Sequence, residues 1–444
     1  DIKFKCAFHN TIYDVFKARG FKETDSDLGW DIFWCDKQWI HDTFDHVRLQ
    51  PQQRINHFRN HYELTRKDLM IKNIKRAQKQ SQKEGLLQEA QGYASCSPLT
   101  FFLPIEYSMF VEEFKKQQAN GAVWIMKPIG SAQGKGIFLV DKLSQVSAWN
   151  PRLLKKDDEP KPKRGPADRE DEEEERKEPQ QYVCQRYLSN PLLIGGKKFD
   201  LRLYVLVTSY VPLVVYMYRS GFARFSHVKF SMDDIADAMV HLTNVAVQKH
   251  NEHYDEKRGG KWNLEKLKLY MMATYGEDRT NQLFSEMQDV IVYSLLSVQK
   301  VMIQDKHCFE LYGYDLMISS DLKPWLIEVN ASPSLSANTP ADYEMKFALL
   351  DDMLTVLDLE KYLDGTEMQI GGFDVLYRNG ARARPPEKAL HRSYLGCYNN
   401  RSAQLKRMAE AHGAEQERQT RQPQPAAADA NAGYPATRTR QPRT

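Results

Sequence analysis

Residues Tyr312 to Asn330, YGYDLMISSDLKPWLIEVN, carry two carboxylates inside runs that are otherwise apolar. Two such runs around a polar turn at Ser319 to Lys323 predict an antiparallel hairpin. Asp315 and Glu328 lie equidistant from the centre of that turn, between Asp321 and Leu322, so a regular hairpin sets them opposite each other on one face. Asn330, two residues beyond Glu328, shares that face. Opposed carboxylates repel unless a cation stands between them, and three oxygen donors with room for water and phosphate suit octahedral Mg²⁺. A merely solvated polar face conflicts with how apolar the flanking residues are.

Two further segments add phosphate chemistry. The turn Gly130 to Gly136, GSAQGKG, departs from the Walker pattern: three residues separate its first two glycines, no Ser or Thr follows Lys135, and it joins two strands. Its glycines still let backbone N–H groups approach an anion, and Lys127 on the preceding strand reaches toward the same place. An ordinary Gly-rich hairpin is the alternative. In Lys198 to Leu203, KFDLRL, Lys198, Asp200 and Arg202 alternate with Phe199, Leu201 and Leu203, giving a strand with one charged and one buried face. These charges either pair with each other or serve a ligand, and Arg202 suits bidentate contact with a terminal phosphate. Together the three segments describe a Mg-ATP site, with nothing resembling the HRD or DFG elements of a protein kinase.

The 444 residues, 41% hydrophobic and 27% charged, are those of an ordinary folded protein, enough for about three domains at roughly 150 residues each. Lys plus Arg number 62 against 59 for Asp plus Glu, a formal charge of +3 that hides segregation along the chain. Six cysteines stand singly with no CxxC pair, which argues against a zinc site or a disulfide framework and for a reducing, cytoplasmic compartment. The most apolar stretch, Leu203 to Tyr218, is broken by Thr208, Ser209 and Pro212 and falls short of the roughly 20 residues of a membrane span; two buried strands around a turn are expected there. Asp1 stands where a Met would open a chain, so a preceding segment is expected.

Organisation follows composition. Residues 1–76 form an N-terminal unit ending in a helical pattern over Leu64 to Arg76, with Thr65 as its expected N-cap. Residues 77–188 form a central unit interrupted at 151–179 by a run of Lys, Arg, Asp, Glu and Pro that reads as a disordered surface insertion. Residues 189–365 form a C-terminal unit of alternating strands and helices. Residues 366–444 read as a basic, largely disordered tail, whose cations from Arg378 onward are expected to meet an acidic partner surface or simply to solubilise the chain.

The segments HYELTRKDLM (His61 to Met70), WIMKP (Trp124 to Pro128), KFDLR (Lys198 to Arg202), HLTNVAVQKH (His241 to His250) and PWLIEVNASPSL (Pro324 to Leu335) together resemble the tubulin tyrosine ligase-like family. The likeness spans about residues 1 to 365. It implies an α/β (α+β) ATP-grasp fold with ATP between the central and C-terminal units. It assigns Lys67 and Lys127 to the phosphates, Gln133 and Gly134 to a covering loop, and Gln185, Arg186, Tyr187 and Leu188 to the hinge beside adenine. Lys198, Phe199, Asp200, His241, Thr243 and Asn244 fall on nucleotide positions, and Arg202 beside the transferred phosphate. Asp315, Glu328 and Asn330 match the Mg²⁺ ligands. Arg224 and Lys261 match positions holding the incoming amino acid; two cations suit the two carboxylates of glutamate, with Arg202, Arg224 and Glu328 at the reaction centre.

The resemblance implies a tubulin polyglutamylase: ATP phosphorylates a side-chain carboxylate of tubulin's acidic tail, and the amine of free L-glutamate attacks the acyl phosphate. It implies microtubules as partner and a place on the cytoskeleton, at the ciliary or flagellar axoneme and basal body, with no nucleic acid and no membrane. Val245, Ala246 and Ala331 depart from residues several relatives carry, so an accessory ciliary subunit is also expected. The competing readings are a glycylase or tyrosine ligase of the same fold and a non-catalytic axonemal scaffold.

Overall fold

The computed structural model describes residues 1–129, 134–149, 181–243, 245–248, 260–335, 337, 339–386 and 388–421, and their strands form three sheets. The charged run 151–179 lies outside the described residues. The first sheet is parallel and consists of β1 (Lys3–Cys6), β2 (Lys22–Glu23), β3 (Ile32–Trp34) and β4 (Arg54–Ile55), in the order β2-β1-β3-β4. The helix Thr11–Ala18, capped by Asn10, presses Ile12, Val15 and Phe16 against Phe4 of this sheet and against Leu349, Leu350 and Met353 of the helix Pro340–Leu357.

The second sheet is antiparallel: β5 (Thr100–Leu103), β6 (Trp124–Pro128), β7 (Phe138–Val140) and β8 (Tyr182–Arg186), in the order β5-β8-β6-β7. Phe101, Trp124 and Met126 pack under Phe110 and Phe114 of the helix Tyr107–Gln118. The two strands expected on either side of the Gly-rich turn are β6 and β7, with Met126 opposite Phe138, while residues 130–133 of that turn lie outside the described residues.

The third sheet has nine strands among the described residues: β9 (Leu193–Ile194), β10 (Lys197–Tyr210), β11 (Leu213–Phe225), β12 (Lys261–Asn263), β13 (Glu310–Ile318), β14 (Pro324–Ala331), β15 (Gln369–Ile370), β16 (Phe373–Arg378) and β17 (Ala381–Arg382). Its main path runs β14-β13-β10-β11-β16-β15. The predicted strand pair in Leu203 to Tyr218 is thus β10 and β11. Leu201, Leu203, Val205 and Val207 pack on one face against Leu283, Met287, Ile291 and Leu295 of the helix Glu277–Gln299. Tyr204 and Leu206 meet the helix Pro340–Leu357 on the other. Alternation therefore buries both faces of β10, and only the end of the second face stays polar.

The hairpin β13–β14 is not regular. Near the turn Ile318 pairs with Pro324 and Leu316 with Leu326, a register centred on Asp321 that would set Asp315 opposite Ile327. One extra residue, Ile327, bulges out, and beyond it Asp315 pairs with Glu328, Tyr314 with Val329 and Gly313 with Asn330. The predicted pairing of the two carboxylates holds, but it is the bulge that produces it.

Two expectations need correction. Thr65 does not cap the helix Lys67–Lys83: it ends the short helix Tyr62–Thr65, its hydroxyl returning to the His61 carbonyl at 3.3 Å, and Arg66 occupies the N-cap without a side-chain bond. The segment after 365, read as largely disordered, supplies β15, β16 and β17, because Phe373, Val375 and Leu376 find apolar partners on the main sheet. Beyond it the helix Arg401–Arg421 is anchored at its start by Arg401, which binds Asp352 at 2.6 Å. Residues 422–444 lie outside the described residues.

Backbone packing is tight where β10 meets β11. A Cβ on Gly221 would stand 2.4 Å from the carbonyl oxygen of Arg202, a backbone atom that cannot step aside. Gly221→Ala is expected to destabilise the fold by about 1–3 kcal/mol, measured by denaturant unfolding.

Candidate functional site

The polar end of the third sheet collects charged side chains by simple alternation. On β10, Lys198, Asp200 and Arg202 share a face, and cross-strand register extends it. Arg202 pairs with Asp315 on β13, Asp200 with Arg224 on β11, and Arg224 in turn with Lys261 on β12. Glu328 and Asn330 continue the face on β14. Within KFDLR, Asp200 and Arg202 find opposite charges across the ladder, while Lys198 turns to neutral oxygens. Arg202 forks onto Asp315 at 2.5 and 3.0 Å, and Arg224 forks onto Asp200 at 2.8 and 2.6 Å while reaching Asp315 at 2.9 Å. Gly313, opposite Asn330, leaves room for this: a Cβ there would lie 2.7 Å from Pro333 and 3.2 Å from the Arg202 side chain.

The electrostatics follow from burial and these pairs. Burial opposes the charge on Asp315, but Arg224 and then Arg202 overcome it and hold the carboxyl well below the ordinary carboxylate range. Lys127 is buried with its ammonium 2.7 Å from Gln185 Oε1; burial, with Lys67 nearby, pulls its pKa down to about 8. Lys198 donates to the His241 carbonyl at 2.6 Å and to the Tyr187 hydroxyl at 3.0 Å, and burial lowers its pKa to about 7 against the pull of Asp200. His241 is clamped between Tyr187, 2.9 Å from Nδ1, and the Asp234 carbonyl, 2.9 Å from Nε2. Lys67, at the start of its helix, binds Glu328 at 3.1 Å.

A cleft between the second and third sheets brings most of the expected residues together. Lys67, Lys127, Gly134, Gln185, Arg186, Tyr187, Leu188, Lys198, Asp200, His241, Thr243, Asp315 and Glu328 line it. Gln133 and Asn244 lie outside the described residues. Phe199 does not face the cleft: it sits one position out of phase on β10 and stacks in the core beside Phe225, their ring centroids 5.2 Å apart. The Arg186 guanidinium turns away to Gln117, 2.6 Å distant, so this residue meets the cleft with its other atoms. Arg202, Arg224, Lys261 and Asn330 stand beside the cleft, around Asp315 and Glu328.

Sequence reasoning missed the apolar walls, Ile125, Ile137, Leu242, Met317 and Ile327. Met317 was legible, two residues along the strand from Asp315. Ile327 was not, because the turn centre expected from sequence sets it opposite Leu316 on the other face, whereas the register observed near the turn sets it on the Asp315 side. Two more missed neighbours are Asp342 and Lys346, on the first turns of the helix Pro340–Leu357. Asp342 Oδ2 lies 3.2 Å from the ammonium of Lys261 and 3.2 Å from that of Lys346.

The oxygen set of Asp315, Glu328 and Asn330, two carboxylates and an amide oxygen, has the chemistry for a hard cation. The Asn330 amide donates to the Gly313 carbonyl at 3.3 Å, which leaves its own oxygen to ligate. An incoming ion would meet carboxylates already engaged by Arg202, Arg224 and Lys67. Among the described residues no group of three His, Cys, Asp or Glu side chains gathers as a metal site, and the trio here has two carboxylates only, its third donor being an amide.

An apolar slot leading to buried ammonium groups, with a carboxylate pair at its far end, is what a nucleotide-dependent ligase requires. The model of the tubulin-tyrosine ligase family matches residues 46–364. Over 429 residues the chain is 46% identical to the Bos taurus protein named probable tubulin polyglutamylase TTLL9, covering 92% of each. It is 47% identical to the Caenorhabditis elegans protein named probable tubulin polyglutamylase ttll-9, over 85% of each chain. It is 41% identical to the Tetrahymena thermophila protein named probable alpha-tubulin polyglutamylase Ttll1, over 85% of this chain and 92% of that one. The chain is an ATP-dependent ligase. It belongs to the tubulin-tyrosine ligase family.

Anionic phosphates entering this cleft favour the protonated forms of Lys127 and Lys198, whose pKa values start at about 8 and about 7. Nucleotide binding is therefore expected to take up protons, and affinity to fall as pH rises from about 7 toward 9. Calorimetry in buffers of different ionisation enthalpy measures the uptake; proton release across that range contradicts it.

Proposed function

We propose that this chain is a tubulin polyglutamylase that joins glutamate to side-chain carboxylates in the acidic tail of tubulin, at the expense of ATP. The observation that carries the reading is the register Arg224 to Lys261, two cations facing each other across β11 and β12 beside Asp315. Glutamate brings two carboxylates to such a pair, whereas glycine and tyrosine bring one. The names of the relatives favour the same substrate and product.

In this reading the fold is an ATP-grasp, with the sheet of β5–β8 and the sheet of β9–β17 closing on the nucleotide, and with a division near residues 76, 188 and 365. Ile125, Leu188, Leu242, Met317 and Ile327 would pack on the adenine, beside the hinge of Gln185 to Leu188. Lys67, Lys127 and Lys198 hold the phosphates. Asp315, Glu328 and Asn330 would hold Mg²⁺, which would offset charge on the phosphate oxygens. The acceptor carboxylate attacks the terminal phosphorus, ADP departs, and an acyl phosphate remains. Arg202 steadies the moving phosphoryl charge. The amine of glutamate, oriented by Arg224 and Lys261, then attacks the acyl carbon and inorganic phosphate leaves, closing an isopeptide bond. Two anions and a triphosphate must be held together, so seven cations around four carboxylates on this face, counting Lys346 and Asp342, supply much of the catalytic effect as preorganised charge.

Microtubules are the macromolecular partner in this reading, with a place on the axoneme and basal body and an accessory ciliary subunit as helper. No helix among the described residues is long and apolar enough to cross a membrane.

Incubation with microtubules, ATP, Mg²⁺ and labelled glutamate, glycine or tyrosine, with and without candidate partner subunits, tests the assignment. Glutamate alone should be incorporated. Glu328→Gln should reduce the rate at least about 100-fold, and Lys261→Ala should raise the KM for glutamate about tenfold with the KM for ATP unchanged. Incorporation of glycine or tyrosine instead, or full activity of Glu328→Gln, overturns it.

A further inference from the structure

A buried hydrogen-bond chain outside the cleft joins the three segments that deliver its acidic and basic groups. Glu310, wholly buried at the start of β13, takes the His57 ring at 2.8 Å on Oε1 and the N–H of Phe58 at 3.0 Å on Oε2. The other ring nitrogen of His57 lies 3.2 Å from the hydroxyl of Ser332. A carboxylate at Nδ1 orients the ring and turns Nε2 toward Ser332. His57 and Glu310 are 1% and 0% exposed, so the pair is shut off from solvent and acts within the fold.

Ser332 is also conformationally unusual. Its φ is +46°, in the left-handed region that a non-glycine residue occupies at a cost and keeps only where its surroundings fix it. It lies two residues beyond Asn330, where β14 ends. Pro333 then packs over Gly313, and the Leu335 carbonyl accepts from Thr11 Oγ1 at 2.7 Å. Glu310 begins the strand that carries Asp315, Ser332 follows the strand that carries Glu328 and Asn330, and His57 leads into the helices that present Lys67 to Glu328.

We propose that Ser332 is a positioning residue for Asn330 and Glu328: through His57 and Glu310 it fixes the end of β14, and with it the spacing of the oxygen donors that receive the metal-nucleotide complex. The proposal rests on the reading of Asp315, Glu328 and Asn330 as the metal-facing trio. Loss of the hydroxyl leaves the fold standing but lets the end of the strand relax toward ordinary β geometry, so the nucleotide itself still binds while its metal-dependent component weakens.

The test is binding of a fluorescent ATP analogue to the full chain, with Mg²⁺ and with EDTA, for wild type, Ser332→Ala, Ser332→Gly, Ser332→Asn and Glu328→Gln. Ser332→Ala and Ser332→Gly are expected to lose about tenfold in affinity with Mg²⁺ and nothing in EDTA. Ser332→Gly, at ease with positive φ, guards against misfolding of the alanine variant. Ser332→Asn, which tolerates that φ and retains a donor, should recover most of the loss. Equal losses with and without Mg²⁺, or no loss in the glycine variant, overturn the proposal. If Glu328→Gln keeps the wild-type Mg²⁺ dependence, the metal reading fails and this proposal with it; if Glu328→Gln loses it and the Ser332 variants do not, only the role of Ser332 falls.

Discussion

The carboxylate of Asp315, gripped by Arg202 and Arg224, is the interaction on which the active end of this molecule depends. Left alone under a sheet, a carboxylate would take up a proton or drive the sheet open. With two guanidinium groups on it, it stays ionised, and the arginines are fixed in turn. Removing one member of such a buried set typically costs about 3–5 kcal/mol, because the others are left without counter-charge. The local oddities of the sheet serve this arrangement. Gly313 clears space for the Arg202 side chain, Gly221 lets β11 approach the Arg202 carbonyl, and the bulge at Ile327 brings Glu328 to the same side as Asp315.

Much of the site was legible because strands alternate. The charged face of KFDLR needs only a two-residue period and appears where that period puts it, and Asn330 shares the face of Glu328 by the same rule. The same rule shows why Phe199 could not belong to the cleft, since it lies between Lys198 and Asp200 on the opposite face. What sequence could not supply were the cross-strand partners. Lys67 against Glu328 and Lys261 against Asp342 join residues far apart in the chain, and Arg224 meets Asp200 only through two register shifts between β10 and β11 that no local pattern encodes. The bulge was hidden for a related reason: symmetry about the turn gave the right pairing from an incorrect centre. The segment after Gly365 was misread because its short apolar runs look weak in isolation and become strands only against an existing sheet.

The near-neutral total of +3 illustrates how little an average says about a site. Cations and carboxylates alternate across one sheet face, and the excess of cations there is compensated elsewhere along the chain. Polyanionic reactants meet a local field that bulk composition does not reveal, and low solvent exposure strengthens it.

The strand pair β11 and β16 carries one more consequence. Along Val215 to Tyr218, β11 is hydrogen-bonded on its outer side to residues Phe373 to Tyr377, which lie beyond the stretch that matches the family model. A catalytic core cut at that limit would expose a row of unpaired amides and carbonyls flanked by Tyr216 and Tyr218, an open template for the strand of another molecule. Residues past 365 thus act as a guard against self-association on this side of the sheet: they occupy from within the flank of β11 where a second chain would otherwise add itself.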